Sequence, residues 1–214
     1  MDARRIVPVA FCWLLLAATP LSASGPSVSN RPVLVCFGDS ITAGLGLNDG
    51  QAYSNDLQKL LDVHGYAYKV VNQGTSGATT KDALATVPYV IRLHPAIVIV
   101  EFGGNDGLRG LPIAQTRINL DQLLTALQNA HIKILLAGIT LPPDYGPDYI
   151  RSFDEIFRDL AAKHHVALVP MIYKDLVNVP GAIQADGIHP TAKGSAIIAQ
   201  TLFPALKPLL RKNP

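Results

Sequence analysis

The segment VLVCFGDSITAGLGL, residues 33–47, begins as a strand and continues as a turn. Val33 to Phe37 is an apolar run with the composition of a buried strand. Gly38, Asp39 and Ser40 then interrupt the run with residues that favour turns. A serine in this place has two interpretations. It either caps a following helix or acts as a nucleophile held at the end of a rigid strand.

Four further apolar segments predict strands, and helical patterns lie between them. The predicted strands are 33–37, 68–71, 96–102, 132–139 and 166–169, and the predicted helices are 51–63, 115–129 and 195–210. The segments AIVIVEF and IKILLAGI are almost continuously apolar, as expected for strands covered on both faces. This alternation predicts an α/β fold, a three-layer α/β/α sandwich around a parallel sheet of about five strands.

The first 23 residues differ from the rest of the chain. Arg4 and Arg5 precede an apolar run from Ile6 to Ala18, and small residues follow up to Ala23. This pattern predicts a secretory signal peptide cleaved after Ala23, because the run is shorter than the roughly 20 residues of a membrane-spanning helix. We therefore predict a signal at 1–23 and a single domain at 24–214, periplasmic or secreted and without stable membrane insertion after cleavage. An uncleaved N-terminal anchor is the alternative.

Composition, charge and the cysteine and histidine residues give no indication of a nucleic-acid partner, a disulfide or a metal site. Charged residues make up 16% of the chain and the formal net charge is +2, which provides no basis for binding nucleic acid. Cys12 lies in the predicted signal, and Cys36 lies in the first strand, where core packing is the expected role. His164 and His165 are adjacent and diverge on a helix, so they do not predict a metal pair. We expect a monomer without a metal or a cofactor.

Polar segments follow the predicted strands, where ligands of open α/β sheets bind. They are GDS, NQGTSGATT, GGND, the Pro-rich loop LPPDYGPDY (141–149), and DGIHP before the last helix. Among the six histidines only His189 has an acid placed to orient it, because Asp186 precedes it by three residues on a turn containing Gly187. Two nucleophiles remain possible: Ser40, and Ser76 in GTSGA, a near match to the G-x-S-x-G elbow of α/β-hydrolases.

FGDSITAG, NQGTSGATT, GGND and DGIHP resemble, in this order, the four sequence blocks of the SGNH, or GDSL, hydrolases. Within that family, VEFGGNDGLRGLP and LPPDYGPDY resemble the exported bacterial enzymes known as acyl-CoA thioesterase I, lysophospholipase L1 or arylesterase. The resemblance implies a flavodoxin-like SGNH-hydrolase fold and a serine hydrolase of acyl esters or thioesters. It also implies that Ser40 is the nucleophile, His189 the base and Asp186 its orienting acid. The oxyanion hole would consist of the Ser40 and Gly77 backbone N–H groups and the Asn105 amide.

Other polar residues near these blocks then have supporting roles. Asp39 and Asp106 are expected to hydrogen-bond backbone groups, and Ser76 to support the Gly77 loop. The loop 139–149 follows the fourth strand on the ligand side and is expected to line the acyl site, with Ile139, Leu141, Tyr145 and Tyr149 as candidate contacts. The expected partner is a small-molecule acyl ester or thioester. Two alternatives are a carbohydrate O-deacetylase of the same family, which an apolar loop suits poorly, and a binding-only relative without activity.

Overall fold

Five parallel strands form one sheet in the computed structural model, which describes residues 31–212. The predicted signal at 1–23 lies outside the described residues. The strands are β1 (Val33–Gly38), β2 (Lys69–Gly74), β3 (Ile97–Glu101), β4 (Lys133–Ala137) and β5 (Ala167–Val169). Their order across the sheet is β2-β1-β3-β4-β5, and each neighbouring pair is parallel. The predicted α/β fold with a five-stranded parallel sheet is confirmed.

Helices cover both faces of the sheet. In the described residues they are α1 (Ser40–Ala43), α2 (Tyr53–Val63), α3 (Thr80–Ile91), α4 (Gly104–Leu108), α5 (Ile113–Asn129), α6 (Pro147–His164) and α7 (Ala192–Leu206). Helix α2 packs against α7, whereas α5 packs against both α3 and α6. The chain moves across the sheet in one direction from β1 to β2 and in the opposite direction from β2 to β5. Because parallel crossovers are right-handed, α2 and α7 lie on one face of the sheet, and α3, α5 and α6 lie on the other. All five residues of β3 are buried between them.

The predicted segments correspond to observed elements, with one correction in the segment 141–149. A 3-10 turn occupies Pro143–Tyr145, and α6 already begins at Pro147, so Tyr149 lies in the first turn of a helix and not in a loop. Gly146 has a φ of 83° and allows the chain to enter the helix. Pro147 is compatible with the first helical position, where its missing N–H is not needed.

The order of the strands creates a crevice between the carboxyl ends of β1 and β3. The connection after β1 runs through α2 on one face, and the connection after β3 runs through α5 on the other face. Such a reversal leaves the space beyond these two strand ends free for a ligand. Ser40 follows β1 and Asn105 follows β3, so both residues lie at this crevice.

Candidate active site

Ser40 is the first residue of α1 and follows the carboxyl end of β1 after one residue. The residue that caps this helix is Asp39, whose Oδ1 accepts a hydrogen bond of 3.0 Å from the Ile41 N–H. The capping role, which was one interpretation of Ser40, therefore belongs to Asp39. The Ser40 side chain is free to hydrogen-bond elsewhere, although the residue as a whole is buried.

A chain of two hydrogen bonds joins Ser40 to Asp186. The Ser40 Oγ lies 2.8 Å from the His189 Nε2, and the His189 Nδ1 lies 2.7 Å from the Asp186 Oδ2. The other carboxylate oxygen, Asp186 Oδ1, accepts hydrogen bonds from the backbone N–H groups of Ile188 and His189. The Ile188 N–H, followed by that of His189, lowers the pKa of Asp186 to about 2. At neutral pH this acid is therefore ionised and can orient His189 and stabilise its protonated form.

The loop that carries His189 is fastened at two places. The Gln184 side-chain amide donates to the carbonyl oxygens of Leu45 and Pro190, at 2.8 Å each, and Leu45 follows the helix that begins at Ser40. The Tyr173 hydroxyl donates to the Ile188 carbonyl at 2.9 Å. These bonds hold His189 against Ser40, although the two residues are 149 positions apart in the chain.

Asn105 links the Ser40 turn to the loop that contains Gly77. Its Nδ2 atom donates to the Asp39 Oδ2 at 3.1 Å and to the Ala78 carbonyl at 3.0 Å. Gly77 has a φ of 78°, a conformation that favours glycine. Among the hydrogen bonds of the described residues, the backbone N–H groups of Ser40 and Gly77 have no acceptor. The structure thus brings together the three donors predicted for an oxyanion hole, two of them free and one shared with protein oxygens.

Two buried carboxyl groups lie behind Ser40. Glu101, the last residue of β3, is fully buried, and its Oε2 accepts hydrogen bonds from the Thr42 hydroxyl at 2.8 Å and from the Asp39 N–H at 3.4 Å. Burial, and secondarily the charge of Asp39, raise the pKa of Glu101 well above its usual value. Burial also raises the pKa of Asp39 to about 6, against the opposing effect of the Ile41 N–H. The sequence patterns above identify Asp39 as a backbone partner but do not single out Glu101.

A mostly apolar cavity of about 180 Å³ lies at the crevice. The predicted residues Ile139 and Leu141 line it, together with side chains that the sequence did not indicate: Leu108, Met171, Tyr173 and Ile188. Tyr145 and Tyr149 are not among the lining residues. Their hydroxyls instead donate to the carbonyl oxygens of Leu108 and Leu111, at 2.7 and 3.3 Å. The two tyrosines therefore brace the end of α4 and the segment after it, and they are not among the residues that line the cavity.

The remaining candidates lie away from this cluster. Ser76 is exposed, and within the described range no histidine hydrogen-bonds to it. Asp106 accepts hydrogen bonds from the Thr80 N–H and hydroxyl, at 2.9 and 2.5 Å, and so fixes the start of α3. Residues 31–212 contain no group of three or more His, Cys, Asp or Glu side chains suited to hold a metal ion. None of the helices in that range is both long and apolar enough to cross a membrane.

Comparison with known proteins gives a consistent result. The model of the GDSL-like Lipase/Acylhydrolase family matches residues 36–197. Esterase TesA of Pseudomonas aeruginosa is 43% identical over 178 residues, which cover 83% of this chain and 89% of that protein. Thioesterase 1/protease 1/lysophospholipase L1 of Escherichia coli K12 is 36% identical over 181 residues, or 84% and 86% of the two chains. The crystal structure of TesA has a TM-score of 0.80 and covers 83% of this chain and 99% of its own. The residues of the candidate site, from Ser40 to His189, all lie within the matched segment.

Proposed function

The chain belongs to the GDSL-like lipase/acylhydrolase family, and from this premise we propose that it is an exported serine hydrolase of acyl esters or thioesters that forms an acyl-enzyme on Ser40. The observation that carries the proposal is the hydrogen-bonded chain from the Ser40 Oγ through His189 to Asp186, with distances of 2.8 and 2.7 Å. The names of the relatives, an esterase and a thioesterase/lysophospholipase, support the class of substrate.

The reaction begins when the Ser40 Oγ attacks the carbonyl carbon of the ester. His189 Nε2 accepts the serine proton, and the ionised Asp186 stabilises the resulting imidazolium through its bond to Nδ1. Collapse of the tetrahedral intermediate breaks the bond to the alcohol or thiol, which takes the proton from His189. A water molecule then attacks the acyl-enzyme by the same route and releases the carboxylic acid, which restores the Ser40 hydroxyl.

The negative oxygen of the intermediate needs donors that are already in place. The Ser40 and Gly77 N–H groups are suited to this role because they have no other acceptor in the described residues. Asn105 is a third donor, and its Nδ2 already contacts Asp39 and Ala78. Its contribution requires that one amide hydrogen be shared between a protein oxygen and the substrate oxygen as negative charge develops there.

The acyl chain of the substrate would occupy the cavity lined by Ile139, Leu141, Met171 and Ile188. Transfer of an apolar acyl chain from water to such a lining is favourable. A sugar in the same place would lose its hydrogen bonds to water. This contrast favours a lipid-like acyl ester over a carbohydrate acetate.

The export part of the proposal rests on the sequence pattern of residues 1–23. Expression of the full chain in a Gram-negative host should release a mature protein that begins at Ser24 and is recovered in the periplasm or the medium. A protein that keeps Met1 and sediments with the membranes would support the uncleaved anchor instead.

Hydrolysis of p-nitrophenyl esters of increasing acyl length tests the enzymatic part. We expect turnover by the wild type, with a preference for chains longer than acetate, and covalent labelling of Ser40 by an organophosphonate. Ser40→Ala should abolish both turnover and labelling, and the matched control Ser76→Ala should retain them. Full activity in the Ser40 variant, or labelling at Ser76, would overturn the assignment. A folded wild type without esterase activity would indicate a binding-only relative.

A further inference from the structure

Glu101 lies directly beside the turn that presents Ser40. In the register of β1 and β3 it is opposite Gly38, the residue before Asp39. A Cβ atom at Gly38 would lie 2.5 Å from the Glu101 Oε2 and 2.1 Å from the Thr42 Oγ1. The carboxyl group of Glu101 therefore occupies space that exists only because residue 38 has no side chain.

The surroundings of Glu101 favour a neutral acid. The residue is fully buried, and none of the ion pairs in the described range includes it. A buried carboxylate without a cation is strongly disfavoured, so the group keeps its proton. Its Oε2 accepts hydrogen bonds, whereas its Oε1 is buried without a partner in residues 31–212. A proton on this group needs an acceptor, and the adjacent Asp39 carboxylate provides one.

The contact between the two carboxyl groups has a definite direction. Both carboxylate oxygens of Asp39 already accept hydrogen bonds, from the Ile41 N–H and the Asn105 amide, which favours the ionised form of Asp39. Glu101 is fully buried, so a proton shared by the pair belongs on Glu101, with Asp39 as the acceptor. On its other side Glu101 accepts from the Thr42 hydroxyl, which is itself 3.0 Å from the Tyr53 hydroxyl. The chain of hydrogen bonds thus runs from the core toward Asp39.

Asp39 in turn contacts the residues around Ser40 and Asn105. Its Oδ1 accepts from the Ile41 N–H and fixes the first turn of α1, which begins with Ser40. Its Oδ2 accepts from the Asn105 amide. An ionised Asp39 makes both contacts strongly, because hydrogen bonds to a charged acceptor are about twice as strong as neutral ones.

We propose that Glu101 is a positioning residue for the reaction at Ser40: as a neutral acid it donates to Asp39 and keeps Asp39 ionised and oriented toward Ser40 and Asn105. This inference rests on the proposed function, since its effect is on hydrolysis at Ser40. Glu101 does not contact the substrate and acts only through Asp39.

Several titratable groups face this pair. Cys36 on β1 and Tyr53 on α2 have pKa values raised by burial, so both are neutral near pH 7. Tyr173, from the segment after β5, also has a raised pKa, chiefly through burial, and is neutral. His189 is hydrogen-bonded to Ser40, and whenever it carries a proton its charge favours ionised Asp39. Among these groups, Asp39 is therefore the one whose charge near neutral pH depends on Glu101.

Two substitutions separate the donor role of Glu101 from its volume. Glu101→Gln keeps a donor toward Asp39 and an acceptor for Thr42, whereas Glu101→Leu keeps neither. We expect the kcat of Glu101→Gln to stay within about threefold of wild type, and that of Glu101→Leu to fall about 10–100-fold at a nearly constant KM, as for loss of a hydrogen bond to a charged group.

The pH profile of kcat/KM distinguishes positioning from packing. Without its donor, Asp39 should take up a proton at higher pH, so the acid limb of Glu101→Leu should move to higher pH while that of Glu101→Gln stays in place. Val100→Ala is the matched control, because Val100 is the fully buried neighbour on β3 and has no polar group. It should lower the melting temperature and leave the acid limb unchanged. If Glu101→Leu does not fold, Thr42→Val, which removes a donor to Glu101, should give a smaller shift in the same direction.

Unchanged acid limbs in Glu101→Leu and Thr42→Val, or an equal loss of kcat in Glu101→Gln and Glu101→Leu, would overturn the inference. Organophosphonate labelling of the wild type keeps this test distinct from that of the proposed function. A labelled wild type with unaltered Glu101 variants removes the role of Glu101 alone. A folded wild type that is neither labelled nor active at Ser40 removes both proposals.

Discussion

Asn105 is the donor in the candidate oxyanion hole whose hydrogens already have protein acceptors. Its bond to Asp39 orients the amide, and its bond to the Ala78 carbonyl fastens the Gly77 loop. The same side chain is therefore suited both to stabilise the transition state and to hold the local structure. Substitution separates these roles, because only the first depends on the negative charge that develops during the reaction.

We expect Asn105→Ala to lower kcat by about 10²–10³, roughly 3–4 kcal/mol, with little change in KM. The Ser40 and Gly77 N–H groups remain, so activity should not vanish. Steady-state kinetics and a thermal melt of the same purified variant provide the measurement. A variant with normal kcat and a lowered melting temperature would leave Asn105 only the structural role.

At the scale of elements, the connection from β4 to α6 combines two tasks. Leu141 lines the cavity, whereas Tyr149, in the first turn of α6, bonds the Leu111 carbonyl. We expect Leu141→Ser to lower kcat/KM for medium-chain esters more than for acetate esters, by about 1–3 kcal/mol, because each lost apolar contact affects only chains that reach it.

Tyr149→Phe serves as the control for this substitution. It removes a hydrogen bond on the outer side of the same connection and should alter short and medium chains equally. Equal losses for both chain lengths in Leu141→Ser would show that the acyl chain binds elsewhere.

The packing of α5 against α6 depends on a buried histidine. His164 has 7% of its side chain exposed, and its ring lies 2.6 Å from Asp121 Oδ1 and 2.8 Å from Gln128 Oε1. The Gln128 Nε2 donates to the His164 carbonyl, so its Oε1 must face the ring. Both ring nitrogens of His164 thus meet acceptors.

We expect His164→Ala to lower the free energy of unfolding by about 1–3 kcal/mol, since a nearly buried ring and its two hydrogen bonds are lost, and to leave kcat unchanged. Lys163→Ala is the matched control. Lys163 contacts the same Asp121 but has 61% of its side chain exposed, so its loss should cost under about 1 kcal/mol. Urea unfolding curves of the three proteins decide the matter, and equal midpoints for both variants would contradict the distinction.

The elements that the sequence predicts are those with a simple pattern. The strands and α2, α5 and α7 show clear apolar runs or helical periodicity, and they occur close to the predicted bounds. Helices α3 and α6 are different. Pro88 interrupts the pattern of α3, whose start is set by a capping box of Thr79 and Asp82, and α6 begins inside a segment rich in Pro and Gly. Local composition is a weak guide where capping and tertiary packing decide.

In the candidate site, too, residues in local motifs can be predicted from the sequence, whereas residues brought together by the tertiary fold cannot. Ser40, Gly77, Asn105, Asp186 and His189 stand in short motifs that can be recognised in the chain. Glu101 is hidden in the apolar segment AIVIVEF, and its proximity to Asp39 follows only from the register of β1 with β3. The cavity-lining residues Met171 and Ile188 likewise come together only through the tertiary fold.

At the scale of the whole molecule, the buried carboxyl groups link folding to pH. Glu101 has a raised pKa in the folded protein, so the folded state holds a proton that the unfolded chain releases above about pH 4.5. Stability must therefore fall as pH rises through this range. Asp39 adds a smaller effect of the same sign between its ordinary value and about 6. Asp186 has the opposite sign, since its pKa of about 2 makes stability fall as pH drops below about 4.

We expect Glu101→Gln to gain stability relative to the wild type as pH rises from 5 to 7, by up to about 1.4 kcal/mol per pH unit, because glutamine has no proton to release. Urea unfolding followed by circular dichroism at several pH values measures the difference. Parallel stability curves for the two proteins would mean that Glu101 does not hold its proton in the folded state.

The separation of 149 positions between Ser40 and His189 has a consequence for how the protein is made. During synthesis Ser40 leaves the ribosome long before His189 is made. The Gln184 contacts that bring the two residues together form only when Leu45 and the segment around Pro190 have met. A growing chain therefore carries the Ser40 hydroxyl without the histidine that would take its proton. If Ser40 and His189 act together as proposed, regained activity in a refolding experiment would report this late long-range contact between the two ends of the chain.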